Sequence, residues 1–295
     1  LARDVAKACN AEMVDVAIGV EDFWNNLPTI VAAMDDPVAD YAIIPTWLLA
    51  KTAHRHGFKV VLSGEGGDEI FAGYGRYRAA LRPWPFKKPL RSRGVFDGLD
   101  LLNAAAFPDP KAWRKTLLKD EQDLGRRSLT PLQRLQALDC GDWLPHDLLI
   151  KLDRCLMAHG VEGRTPFLDK EVAQFAFTLP DDLKLQRGMG KWILREWLTK
   201  HLPVAQPFSR KRGFTVPVGS WMAHQGKMLG EAMVTQTAVK EIAKPDAVRA
   251  LYADPHLATD QRLAQSGWKL LFYALWHRRH IQGLRSEGGI LDCLS

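Results

Sequence analysis

Residues 59–74 read KVVLSGEGGDEIFAGY, a short apolar run followed by a glycine-rich segment that carries three carboxylates. The apolar run at 58–62 is typical of a strand buried on both faces of a parallel sheet. Residues 45–56 predict a preceding helix, because Pro45 stands near its first position and Gly57 just past its end. In such α/β units ligands bind beyond the carboxyl ends of the strands. The sequence therefore predicts a ligand site at the turn after this strand.

The turn at 63–69 has the composition of a phosphate site that works through a metal ion. Its glycines let the backbone approach a ligand, and its N–H groups can hold phosphate oxygens. Magnesium favours one or two carboxylates plus substrate oxygens, which gives a role to Glu65, Asp68 and Glu69. The alternative is a plain turn whose acidic residues suit a helix N-terminus. G-x-G-x-x-G is excluded because Glu69 occupies the third glycine position, and no G-K-[ST] follows.

The composition is that of an ordinary soluble globular protein, with 295 residues, 46% hydrophobic and 25% charged. The net charge of +6 fits an anionic ligand such as ATP and leaves nucleic acid open as a partner. The four cysteines form no C-x-x-C pair, so neither a disulfide framework nor a zinc site is indicated. With neither a membrane-span pattern nor a signal-peptide pattern, we expect a cytoplasmic protein with reduced thiols.

The first part of the chain alternates helical patterns with short apolar segments, which is typical of an α/β fold. Helices are predicted near 1–10 and 24–34, and a short strand at 13–16. Leu1 already lies inside a helical pattern, so we expect the sequence to be the middle of a larger protein. Residues 1–75 are therefore interpreted as part of an α/β nucleotide-binding core.

The later segments differ in character. Residues 76–93 carry seven basic side chains and three prolines, so regular structure is not expected there. A surface loop, a mobile basic flap near phosphates and a nucleic-acid patch are the three interpretations. Apolar residues at helical spacing over 268–276 predict a helix with basic residues at its end. We therefore divide the rest into a basic loop and connecting segment, 76–130, and a mainly helical part that completes the active site, 131–295.

Residues 151–169, KLDRCLMAHGVEGRTPFLD, set charged groups in an apolar frame. Asp153 and Arg154 lie near the edge of a predicted helical face, and Glu162 and Arg164 follow in a non-helical stretch. Carboxylates and arginines in apolar surroundings are usually paired. These residues are candidates for a site, and ion pairs that only hold loops together are the alternative.

Lys191, in the run GMGKWILRE at 188–196, opens a predicted helix. Its charge opposes the helix dipole there at a cost of about 0.3–1 kcal/mol. A phosphate bound at the same helix end would make the position of the lysine favourable, because the two opposite charges would pair. The alternative is a solvated lysine whose stem covers apolar surface. Residues 210–218, RKRGFTVPV, form a basic cluster before a glycine-aromatic turn, for which a surface turn is the favoured interpretation.

Four motifs resemble, in their residues and in their order along the chain, those of the synthetase domain of glutamine-hydrolysing asparagine synthetases. Residues 34–46 resemble the same family, and the resemblance runs from near residue 1 to about residue 225 and more loosely to His280. Gly163 and Thr165 stand where the commoner family wording has alanine and valine. The four motifs are SGEGGDE at 63–69 with GY at 73–74, VEGRTPFLD at 161–169, GKWILRE at 190–196 and KRGFTVP at 211–217.

The resemblance implies an α/β fold, the remainder of a parallel-sheet ATP pyrophosphatase core of the adenine nucleotide alpha hydrolase type, followed by a mainly helical region. The family's S-G-G-x-D-S loop and its glutaminase domain with a leading cysteine do not occur in these 295 residues. We therefore expect a synthetase domain truncated before that loop and inactive on its own, belonging to a protein with an N-terminal glutaminase domain.

The resemblance also implies a reaction, in which aspartate and ATP give β-aspartyl-AMP and ammonia from glutamine then displaces AMP. The implied ATP contacts are Ser63, Gly64, Gly66 and Lys191, and the implied magnesium ligands are Asp68 and Glu69. Glu65 would serve the intermediate-forming or ammonia step as a proton acceptor, and Lys191 would neutralise departing pyrophosphate. The residues implied to orient substrate or brace the site are Glu162, Arg164 and Asp153.

Two alternatives stay open at this point. One is a related amidotransferase or a β-lactam-synthetase-like enzyme that adenylates another carboxylate. The other is a non-catalytic basic binding module, against which the acidic turn at 65–69 argues where nucleic acid is concerned. The partners predicted are small-molecule substrates and the glutaminase domain, with neither nucleic acid nor a membrane, in an arrangement compatible with a homodimer.

Overall fold

The computed structural model describes residues 1–83, 85–86, 88, 90–91, 93–109, 111–209 and 216–295. The basic cluster and glycine-aromatic turn at 210–215 therefore lie outside the described residues, as do Lys87 and Pro89 of the basic segment. No helix in the described part of the chain is long and apolar enough to cross a membrane.

The first third of the chain alternates helices with one strand. Its elements are α1 (Ala2–Ala8), α2 (Val20–Ala32), α3 (Ile43–Arg55), β1 (Val60–Leu62), α4 (Gly67–Ile70) and α5 (Gly75–Ala80). The predicted helices near 1–10, 24–34 and 45–56 are confirmed, although α2 begins four residues before the predicted position. The strand expected at 13–16 is wrong, since Met13 and Val14 are exposed and pair with no strand among the described residues.

The rest of the chain is mainly helical, as predicted from residue 131 onward. The helices are α6 (Lys115–Gly125), α7 (Pro131–Leu138), a π-helix (Asp139–Leu149), α8 (Ile150–Met157), α9 (Lys170–Thr178), α10 (Asp181–Lys184), α11 (Trp192–His201), α12 (Val218–Ala223), α13 (Gly226–Thr235), α14 (Thr237–Ile242), α15 (Pro245–Ala253), α16 (Gln261–His280) and α17 (Ile290–Leu294). The strands are β2 (Glu162–Arg164), β3 (Leu185–Gln186) and β4 (Met189–Gly190), and short 3₁₀ turns cover Ala112–Arg114, Pro166–Leu168 and Pro203–Ala205.

Strand β1 pairs in parallel with β2, with Val60 opposite Glu162 and Leu62 opposite Arg164. Val61 packs on the face covered by α3 and α8. The side chains of Val60 and Leu62 point the other way and are 51% and 72% exposed. The prediction of a strand buried on both faces is therefore wrong for the described chain, because α3 and α8 cover only one face of this two-stranded sheet.

The basic segment contains regular structure where none was expected. Arg76 and Arg78 lie on α5, which is held by the fully buried Tyr77. The guanidinium groups of Arg76 and Arg91 lie 2.7 and 2.5 Å from the two carboxylate oxygens of Asp139, which is fully buried in the π-helix. These two arginines therefore anchor the segment by ion pairs and do not form a mobile flap.

The helical core places the segment before α3. Trp268 on α16 is buried, and its indole nitrogen donates a hydrogen bond of 2.8 Å to the carbonyl of Ala39. Phe23 on α2 packs its ring against Trp268, with 6.3 Å between ring centroids. A buried indole normally finds such a partner, and this bond fixes the backbone next to Asp40 against the core.

Candidate functional site

The parallel pairing of β1 and β2 brings two of the predicted motifs to one edge. The ladder continues past β1, where the backbone N–H of Ser63 donates to the carbonyl of Arg164 at 2.8 Å. The turn at 63–69 and the segment at 165–168 thus both leave the carboxyl ends of neighbouring strands. This is the edge at which open α/β sheets bind their ligands.

The glycines of the turn have different roles. Gly66 has φ +86° and caps α4, and a β-carbon there would lie 2.2 Å from the side chain of Leu168. Both its conformation and its packing therefore require glycine, which is a structural reason independent of any ligand. Gly64 is exposed, with open space around its α-carbon, and the Ser63 hydroxyl accepts the N–H of Glu65 at 3.3 Å. Ser63 and Gly64 thus present backbone that a ligand can reach.

The hairpin of β3 and β4 places Lys191 beside the same turn. Its backbone N–H donates to the carbonyl of Phe71 at 2.8 Å, and its φ of +57° ends the hairpin at the start of α11. A β-carbon on Gly190 would lie 1.9 Å from the carbonyl oxygen of Ala72, so the hairpin lies directly on the backbone that follows α4. This close approach is what allows two distant motifs to share one site.

The ammonium of Lys191 lies 3.2 Å from a carboxylate oxygen of Asp68, and both side chains are partly accessible. Gly73 leaves the room for this pair, since a β-carbon there would meet the Asp68 carboxylate at 1.7 Å and the Lys191 side chain at 2.6 Å. An ammonium has three donors, so Lys191 can contact Asp68 and phosphate oxygens together. The structure therefore joins the predicted phosphate lysine to the predicted metal carboxylate.

Glu69 faces the interior. Its side chain is 1% exposed and accepts a hydrogen bond of 2.5 Å from the Tyr74 hydroxyl, and burial raises the pKa of this carboxyl. Gln136 donates to the carbonyls of Glu69 and Ile70 at 2.7 and 2.6 Å, and the buried ammonium of Lys184 donates to Gln136 at 3.1 Å. Glu69 therefore anchors α4 from behind, and its role as a metal ligand stays a prediction.

Asp68 is the more accessible of the two carboxylates predicted to bind magnesium. In the described chain no group of three or more His, Cys, Asp or Glu side chains could hold a metal ion. A site with one protein carboxylate fits magnesium, which prefers substrate phosphate oxygens and water for most of its octahedral shell. The donor set thus suits an ion that arrives with a nucleotide.

The remaining predicted residues lie outside this constellation. Glu162 and Arg164 alternate with Gly163, so their side chains stand on the exposed sheet face, 3.5 Å apart at their nearest charged atoms. Asp153 is exposed on α8 and pairs with its neighbour Arg154 at 2.6 Å. Arg154 also reaches Asp35 at 2.6 Å, so this cluster ties α8 to the segment before α3.

Lys151 is a residue that the sequence reasoning missed. Its side chain is 6% exposed, and its ammonium lies 2.8 Å from Asp40 and 3.6 Å from Glu65. The sequence does contain a signal for a buried lysine, because Lys151 lies at helical spacing between Leu148 and Cys155 on an apolar face. A lysine on such a face is almost never buried without a partner.

Asp147, one helical turn before Lys151, was missed as well. Burial raises the pKa of its carboxyl to about 7, with Asp40 adding to the shift and Lys151 opposing it. One carboxyl oxygen is buried and has no hydrogen-bond partner among the described residues. An ionised carboxylate is costly in such surroundings, which favours the protonated form.

Comparison with known proteins agrees with this geometry. The family model for asparagine synthase matches residues 1–278. The chain belongs to the asparagine synthase family. This match confirms the resemblance seen in the motifs.

Individual relatives in this family are moderately similar. An asparagine synthetase (glutamine-hydrolyzing) of Bacillus subtilis is 31% identical over 96% of the chain and 50% of its own length. A putative one of Mycobacterium bovis is 33% identical over 92% of the chain and 47% of its length. Asparagine synthetase B of Escherichia coli is 28% identical over 61% of the chain and 25% of its length. The chain thus spans about half the length of the first two relatives.

Proposed function

We propose that the complete protein is an ATP-dependent carbon–nitrogen ligase that makes asparagine from aspartate. The observation that carries the proposal is the joining of the Ser63–Asp68 turn with Lys191 at the carboxyl ends of two parallel strands, in a chain of the asparagine synthase family. The names of the relatives add glutamine hydrolysis as the source of ammonia. A glutaminase domain elsewhere in the complete protein would supply it, in the cytoplasm, and a homodimer is compatible with this arrangement.

The reaction has two steps. An oxygen of the aspartate β-carboxylate attacks the α-phosphorus of ATP, and the bond to the β-phosphate oxygen breaks, giving β-aspartyl-AMP and pyrophosphate. Ammonia then attacks the acyl carbon, a proton is lost from nitrogen, and AMP leaves with the acyl C–O electron pair. The first step turns a carboxylate, a poor electrophile, into an acyl group with a good leaving group.

The described residues divide these tasks. Ser63 and Gly64 contact the nucleotide through exposed turn backbone, and Lys191 offsets charge that develops on pyrophosphate. Asp68 would hold magnesium together with pyrophosphate oxygens, and the ion would supply further charge neutralisation there. Glu65, on the same turn, is the proton acceptor for the ammonia step. The residues that orient substrate or brace the edge are Glu162, Arg164 and Asp153.

Product analysis tests this function. The complete protein, supplied with aspartate, ATP, magnesium and either glutamine or ammonium, should form asparagine, AMP and pyrophosphate in equal amounts. Cleavage of ATP to ADP and phosphate would contradict the adenylation step. Amide formation only from a different carboxylic acid would contradict the choice of aspartate and favour a β-lactam-synthetase-like relative.

A further inference from the structure

A largely buried cluster of charged residues lies behind the turn at 63–69. It is built from three separate parts of the chain. Asp40 comes from the segment before α3, Glu65 from the turn after β1, and Lys151 from α8. Asp147 on the π-helix faces the same cluster, and Lys269 on α16 faces Asp147. The cluster thus links the proposed proton acceptor to the helical core.

Lys151 is charged at the centre of this cluster. Burial alone would lower the pKa of its ammonium, but Asp40, Glu65 and Asp147 together outweigh burial and raise the pKa above its ordinary value. A buried ammonium is tolerated only when it is paired in this way. The Trp268 bond to the Ala39 carbonyl holds Asp40 in place, so the position of Lys151 is set by the core.

The two partners of Lys151 are held differently. Its distance of 2.8 Å to Asp40 is that of a charge-assisted hydrogen bond, whereas 3.6 Å to Glu65 is too long for one. Asp40 therefore fixes the lysine, and the lysine attracts Glu65 without locking it. At this distance Lys151 donates no hydrogen bond to Glu65, so the contact leaves the carboxylate oxygens able to accept a proton.

We propose that Lys151, held by Asp40, is a positioning residue that orients the Glu65 carboxylate for the ammonia step. The proposal rests on the proposed function, because it assigns a purpose to Glu65 in amide formation. The proposal assigns the two steps of the reaction to different residues. Asp68 and Lys191 serve adenylation, and the pair of Asp40 and Lys151 serves the second step through Glu65.

Single-turnover assays of the complete protein with aspartate, ATP and ammonium measure pyrophosphate formation and asparagine formation separately. Replacement of Lys151 by methionine keeps most of the side-chain length and removes the charge. Pyrophosphate formation should stay within about threefold of wild type, while asparagine formation falls about 10- to 100-fold, because a misplaced base loses part of its usual contribution. Lys151→Arg should restore most of the asparagine rate, since it restores the charge.

Two further variants control for loss of folding. Lys244→Met removes a lysine from an exposed ion pair with Asp100 and should leave both steps unchanged. Asp40→Asn retains the buried lysine but loosens it, and should slow asparagine formation about 3- to 10-fold with pyrophosphate formation preserved. Thermal unfolding midpoints of all variants identify any general loss of structure.

The outcomes distinguish the two proposals. Suppose that wild type forms pyrophosphate in an aspartate-dependent reaction. If Lys151→Met then slows both steps equally, or slows neither, the positioning role alone is overturned. Failure of Lys151→Arg to restore any asparagine formation would also overturn it. Wild type without aspartate-dependent pyrophosphate would overturn the proposed function and the positioning role together.

Discussion

Replacement of Lys191 by alanine is expected to slow pyrophosphate formation by the complete protein about 10²- to 10³-fold. Removing one preorganised group that stabilises developing charge typically has an effect of about this size. Lys191 contacts Asp68 at 3.2 Å and is anchored by its backbone bond to Phe71, so its ammonium is already in place before charge develops. The variant should fold normally, because a partly exposed ion pair contributes about 0–1 kcal/mol.

The measurement is a rapid-quench assay of pyrophosphate released in the first turnover. Lys200→Ala is the matched control, since Lys200 lies in the last turn of the same helix, exposed, where its charge suits the dipole. That control should match wild type. Unchanged pyrophosphate release by Lys191→Ala would refute the proposed role of this lysine.

Replacement of Asp147 by asparagine is expected to stabilise the protein at alkaline pH. Burial raises the pKa of this carboxyl from 3.8 to about 7, so the folded state holds a proton that the unfolded state has released. The stabilising contribution of this carboxyl is therefore lost as pH rises from about 4 to about 7, and the carboxyl adds no further loss above that range. Asparagine resembles the protonated acid and does not titrate, so the free energy of unfolding of the variant should not show this loss.

The expected gain follows from the pKa difference. One pKa unit corresponds to about 1.4 kcal/mol, so the advantage of the variant should grow by up to about 4 kcal/mol between pH 4 and pH 8. Urea unfolding at both pH values measures it. Asp120→Asn, at an exposed position of α6, should show a much smaller change. An advantage for Asp147→Asn that does not grow with pH would contradict protonation of the buried carboxyl.

Local sequence signals predicted much of the strand, turn and helix around the site. The glycine turn at 63–67 lies where the pattern of apolar run and glycines placed it, and Lys191 does open a helix. These features depend on neighbours within a few residues, so a local pattern contains them. The four motifs also identified the family, because their order along the chain carries information that no single motif has.

Long-range packing decided what the sequence did not predict. Arg76 pairs with Asp139, 63 positions away, and Gln136 donates to the carbonyls of Glu69 and Ile70 from 67 and 66 positions away. The cluster around Lys151 joins three segments that no motif connects. Its only sequence signal is a lysine on an apolar helical face, which predicts a partner without naming it.

The turn at 63–68 and Lys191 are proposed to form a site that adenylates aspartate. Exchange of labelled pyrophosphate into ATP by the complete protein tests it most directly, because exchange requires a reversible acyl-adenylate and no nitrogen donor. We expect exchange that depends on aspartate and magnesium and is lost in Lys191→Ala. Exchange that is independent of aspartate, or that is supported only by another acid, would contradict it.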